Sequence, residues 1–157
     1  MSRRALLAAG GATLFVGCGK DEKAVAPPSA AEVMQLQITA ERGLAATLVA
    51  LRQSDNRALL GRLTDRSLRR VGILAASLSS QGAPHHDGGE PQGSPEPAEA
   101  LHRGRAALER YVTGLPSQTG ALRTLGTDLV AESAGDLALL GSLFGAPPEG
   151  PFPGTPA

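Results

Sequence analysis

SAAEVMQLQITAERGLAATLVALRQ, Ser29 to Gln53, is the stretch that decides the fold. It follows Pro27-Pro28 and opens with Ser29-Ala30-Ala31-Glu32, a capping box. The serine hydroxyl can accept from the Glu32 amide while the Glu32 carboxylate reaches back to the Ser29 amide. Behind that cap, Val33, Leu36, Ala40, Leu44, Leu48 and Leu51 recur at three- and four-residue steps, which predicts an amphipathic helix to about Gln53.

The same period continues outward from this helix. Ser54-Asp55-Asn56 supplies a turn and a new cap, and Leu60, Leu63, Val71, Leu74 and Leu78 predict a second helix to about Ser80. Its polar side carries Arg62, Asp65, Arg66 and Arg69. Gln81 to Glu96 breaks the pattern with four glycines, three prolines and two histidines, and reads as a long flexible connection. Ser94-Pro95 then predicts the start of a third helix, whose stripe is Leu101, Leu108, Tyr111, Val112 and Leu115. After the turn Gly114-Leu115-Pro116-Ser117, a fourth helix from about Gln118 to Phe144 carries Leu122, Leu125, Leu129, Leu139, Leu140 and Leu143. Gly145 and Pro147-Pro148 stop it, and residues 146–157 read as a disordered Pro/Gly-rich tail.

Four helices with short, long and short connections predict an all-α four-helix bundle over residues 29–145. The long middle connection can span a helix length of roughly 35 Å at up to about 3.3 Å per residue, which permits an up-down-down-up bundle with one crossover. That arrangement resembles the ferritin-like fold over residues 29 to 144; an up-down-up-down bundle remains open.

A 100° step per residue puts several polar groups on the apolar faces. Glu41 lies among Ile38, Leu44, Ala45 and Leu48. Glu132 and Asp136 fall in the stripe of the fourth helix, Thr64 and Ser67 point inward from the second, and Arg105 lies between Leu101, Leu108 and Val112 on the third. Inward carboxylates are costly unless paired, hydrogen-bonded or metal-bound. Two readings follow: a salt-bridge network of Glu41, Glu132 and Asp136 with Arg105 or Arg52, or iron or manganese held by those three carboxylates.

The ferritin-like resemblance implies a di-metal centre built from one Glu on each of two helices and Glu-x-x-His on each of the others. Here Asp136 follows Glu132 by four residues, and the second helix offers no Glu or His. Glu99-x-x-His102 falls on the solvated edge of the third helix. The network is therefore the preferred expectation, with no cofactor. His85-His86-Asp87, two adjacent imidazoles in a glycine-rich segment, reads as a polar loop.

The chain's beginning supplies an address. Arg3-Arg4 is a basic segment, and the apolar run Ala5 to Gly17 has thirteen residues, short of the roughly 20 a spanning helix needs. Phe15-Val16-Gly17-Cys18 resembles the lipobox of bacterial lipoproteins. The resemblance implies a signal peptide over residues 1–17, a diacylglyceryl group on Cys18, a tether over residues 18–28 and a lipid-anchored, extracytoplasmic domain. Ser2-Arg3-Arg4-Ala5-Leu6-Leu7 also resembles a twin-arginine signal.

Composition narrows the chemistry further. Cys18 is the only cysteine, so an acylated Cys18 leaves no thiol for a disulfide, metal thiolate or nucleophile. Without Arg3 and Arg4 the chain holds 13 basic and 15 acidic residues, a balance that argues against nucleic-acid binding. Three Phe, one Tyr and no Trp require an aliphatic core. No phosphate loop, nucleophile elbow or zinc spacing is visible. These features predict a non-enzymatic binding or envelope-associated module, with membrane lipid as its partner through the anchor.

Overall fold

The computed structural model describes residues 28–52, 56–83 and 92–145. Among them are four α-helices and no strand: α1 (Ala30–Leu51), α2 (Arg57–Ser80), α3 (Pro97–Gly114) and α4 (Gly120–Phe144). Cys18, the expected signal and tether up to residue 27, His85-His86-Asp87 and the expected tail from residue 146 lie outside the described residues. None of the four helices is long and apolar enough to cross a membrane.

Local chemistry sets the helix ends. The capping box of α1 forms as its sequence dictates: Glu32 N donates to Ser29 Oγ at 3.3 Å, and Ser29 N donates to Glu32 Oε2 at 2.7 Å. Those bonds favour the ionised Glu32 and lower its pKa. α3 begins at Pro97, two residues later than Ser94-Pro95 predicts. Two prolines compete for the start, and the residue before a proline is pushed out of the α region. Glu96 is accordingly extended at φ −98°, ψ 125°, and the helix waits for Pro97 at its first position. A 3₁₀ turn, Leu115–Ser117, leads to α4, which closes on Gly145 in the left-handed conformation at φ 69°.

Contacts between helices run with opposite numbering, so neighbours are antiparallel. On α1 and α2, Arg52 Nη2 donates to Gly61 O at 3.3 Å, while at the other end Gln81 Nε2 lies 3.9 Å from Met34 Sδ. On α1 and α3, a Cβ at Gly114 would meet Val33, Gln37 Nε2 reaches Arg110 O at 3.4 Å, and Gly43 faces Arg103. On α3 and α4, Gly104 faces Leu137 and Leu140. Ala83, at the start of the middle connection, packs with the Met34 end of the bundle. Gly93 lies against the Ala46 carbonyl some 12 residues along α1, about 18 Å away at 1.5 Å per residue. The connection thus begins near one end of α1 and arrives well along it, where Gly93 stands close to the Ala46 carbonyl.

The apolar core is two clusters. One joins Leu44, Leu48, Leu51, Leu60, Leu63, Ala100 and Leu140. The other joins Met34, Ile38, Leu74, Leu78, Tyr111 and Leu129. α3 enters this core on a different stripe from the predicted one: Ala100, Gly104, Ala107, Tyr111 and Gly114 are buried, and Leu101, Leu108 and Val112 are only half-buried flanks. Small side chains let α3 approach α1 and α4 closely, a packing advantage the predicted stripe, built on the larger residues, did not weigh. This rotation carries Arg105 to the exposed side, which corrects the expectation that it points inward. Leu36 and Leu139, placed in the α1 and α4 stripes by their hydropathy, are likewise exposed, at 45% and 40%.

Candidate functional site

Between the two apolar clusters lies a polar layer to which each helix contributes at matching height. α1 supplies Glu41 between Ile38 and Leu44. α2 supplies Ser67 and Arg70 between Leu63 and Leu74. α4 supplies Ser133 and Asp136 between Leu129 and Leu140, and α3 offers Gly104 and Ala107, which leave room. The side chains of Glu41 and Arg70 are 0% and 1% exposed, and that of Asp136 is 5% exposed.

Arg70 is the centre of the layer. Its Nε donates to Glu41 Oε1 at 2.7 Å and its Nη2 to Glu41 Oε2 at 3.2 Å, while Nη1 donates to Asp136 Oδ2 at 2.7 Å. The remaining acceptor capacity is also used. Ser67 Oγ contacts Glu41 Oε2 closely and lies 2.9 Å from the Glu41 carbonyl, and Arg66 Nη1 donates to Asp136 Oδ1 at 2.8 Å. Burial opposes the guanidinium charge, but the hydrogen bonds and charge of Glu41, followed by those of Asp136, outweigh it and raise the Arg70 pKa further above its ordinary range. Arg70 is a permanent internal cation.

Tyr111 reaches this layer from α3. Its ring is fully buried, and burial first, then the Glu41 charge, raises the pKa of its hydroxyl well above the ordinary 10.0. The hydroxyl stands close enough to Glu41 to feel that charge, but no acceptor meets hydrogen-bond geometry.

The layer brings together two of the three carboxylates singled out by sequence, and places the third at its rim. Glu41 and Asp136 are buried as expected. Glu132 is 40% exposed, where it accepts from Arg69 Nη2 at 2.8 Å and stands 3.9 Å from Arg70 Nη1. Neither cation named by sequence takes part. Arg105 is on the outside of α3, and Arg52 lies at the far end of α1, beside Gly61 and 3.8 Å from Asp65. Arg70 was missed, although Leu63, Ser67, Arg70 and Leu74 follow one another at four- and three-residue steps. Hydropathy favours Val71 beside it for the core position, since a lone arginine on an apolar face carries no apolar signal. Glu99 pairs with Arg103 at 2.6 Å on the edge of α3, and His102 is exposed.

The donor set suits a guanidinium better than a metal ion. All four oxygens of Glu41 and Asp136 already accept from Arg70, Ser67 or Arg66, and neither α2 nor α3 brings a carboxylate or imidazole into the layer. Among the described residues no group of three or more His, Cys, Asp or Glu side chains is arranged to hold a metal. Two shallow clefts, of about 130 and 200 Å³, lie at the α1–α3 end around Arg110 and Thr113, away from this layer. Both are below the roughly 300 Å³ at which small-molecule pockets begin. No family model, curated protein or solved structure matches the chain.

Proposed function

We propose that this chain is a lipid-anchored, extracytoplasmic lipoprotein whose ferritin-like bundle serves as a non-enzymatic binding or envelope-associated module. In this reading the polar layer is an internal ion-pair network and requires no cofactor. The observation that carries it is Arg70, which lies between Glu41 and Asp136 with bonds to both. The antiparallel pairing of α1 with both α2 and α3, and of α3 with α4, supports the up-down-down-up order, as does the separation along α1 between Ala83 and Gly93, one at each end of the connection. The anchor rests on the sequence around Cys18.

A second reading, a carboxylate-bridged iron or manganese protein, draws on one observation: Glu41, Glu132 and Asp136 converge on a single layer. Thermal melts with and without Fe²⁺ or Mn²⁺ separate the two. The network reading expects an unchanged midpoint. A ligand binding only the folded state at 100 times its Kd would add about 2.7 kcal/mol, so a stoichiometric rise abolished by Glu132→Ala establishes the metal reading instead. For the anchor, Cys18→Ser should move the protein from the membrane fraction to the soluble one, and mature protein with an unmodified Cys18 would refute it.

A further inference from the structure

The four seams of the bundle are not built alike. α1–α2, α1–α3 and α3–α4 bring backbones into contact, the latter two through glycines such as Gly114 against Val33 and Gly104 against Leu137. α2 and α4 approach each other much less closely. Apolar side chains from both helices join the end clusters, but at mid-height ion pairs cross this seam: Arg66 to Asp136, Arg69 to Glu132, and Arg70 to Asp136 and, at 3.9 Å, to Glu132. Arg66 and Arg69 are 51% and 57% exposed. Both arginines are in water's reach, so their ion pairs are more open to screening by salt than the Arg70 pair behind them.

We propose that Arg66 and Arg69 form an ionic gate over the polar layer, and that water and small ions exchange with Arg70, Glu41 and Asp136 through the α2–α4 seam. Swinging two arginine side chains outward opens the seam without separating the helices, because the apolar clusters above and below stay closed. The gate loosens as salt rises and its ion pairs are screened.

Native-state thiol labelling tests this. In the full chain carrying Cys18→Ser, a single cysteine is introduced at Ser133, 2% exposed in the interior stripe of α4 three residues from Asp136. A control cysteine replaces Thr47, 0% exposed on α1 one turn from Gly43, which faces α3. Iodoacetamide should label Ser133→Cys several-fold faster than Thr47→Cys. Raising salt from about 20 mM to about 500 mM, where the Debye length drops well below 10 Å, should speed the first several-fold and leave the second unchanged. Arg66→Gln with Arg69→Gln should give the high-salt rate at low salt. Equal rates at the two cysteines, or a Ser133→Cys rate indifferent to salt, overturns the gate. The salt comparison stands on a near-isosteric replacement even if the double variant fails to fold.

Discussion

Replacing Arg70 with methionine removes the cation and keeps most of the side-chain volume. Both carboxylates that bind it are buried, so Glu41 and Asp136 would lose three guanidinium hydrogen bonds between them and keep only Ser67 and Arg66 as donors. Breaking a buried pair by removing one partner costs about 3–5 kcal/mol, a large share of the roughly 5–15 kcal/mol by which a domain is stable. The melting midpoint should fall by roughly 10–20 °C. The triple variant Glu41→Leu, Arg70→Met, Asp136→Leu should behave oppositely and return to wild-type stability or above it by about 1–4 kcal/mol, because the ion pairs only offset their own desolvation. Ser67 keeps an acceptor in that variant, the backbone carbonyl of residue 41 at 2.9 Å, and Arg66 turns to water. Urea melts followed by circular dichroism measure both variants. The reasoning is refuted if Arg70→Met costs less than about 1 kcal/mol, or if the triple variant is as unstable as the single one.

Two further outcomes follow from the same contacts, and one from the packed end of the connection. Tyr111 is the only tyrosine, so phenolate absorbance reports it alone. Its folded pKa lies above 10.0, so the stability it contributes is full below that pH and falls by about 1.4 kcal/mol per unit as pH rises beyond it; Tyr111→Phe should remove that slope. Arg105→Met, at an exposed position, should change stability by no more than about 0.5 kcal/mol, in contrast to Arg70→Met under the same urea melt. Gly93→Ala would put a Cβ 2.2 Å from the Ala46 carbonyl oxygen, so it should destabilise by about 1–3 kcal/mol, and a neutral result would mean that this end of the connection is not packed on α1.

The helices were legible because their signals are local. The capping box of α1, the Gly145 stop of α4 and the three- and four-residue steps each lie within a few residues of one another, and the boundaries that moved, the end of α1 and the starts of α3 and α4, moved by about two residues. The choice of buried face was legible on α1 and misread on α3. On α1 Val33, Leu44, Leu48 and Leu51 make the core as their hydropathy predicts, although Leu36 of the same predicted stripe is exposed and Gln37 beside it is buried. On α3 burial follows Ala100, Gly104 and Ala107, where the gain comes from close backbone approach, a quantity set by α1 and α4 and absent from the sequence of α3 itself. Arg105 moved outward as a direct result of that rotation.

The misplaced cation has the same origin. An inward carboxylate announces that a positive charge must exist, but spacing within one helix cannot say which neighbour supplies it, because α1 and α4 meet their cation across the bundle on α2. Arg70 satisfies Glu41 and Asp136 at once only because Glu41, Arg70 and Asp136 stand at one height on three helices. A slide of α2 by one turn, about 5.4 Å, would separate both charge-assisted pairs and bring Thr64 and Ser67 to the positions of Leu60 and Leu63. The polar layer therefore contributes more to choosing the register than to total stability. The triple apolar variant separates the two roles, since it should match or exceed wild type in a urea melt and yet lose the sharp, dispersed side-chain resonances of a single packing.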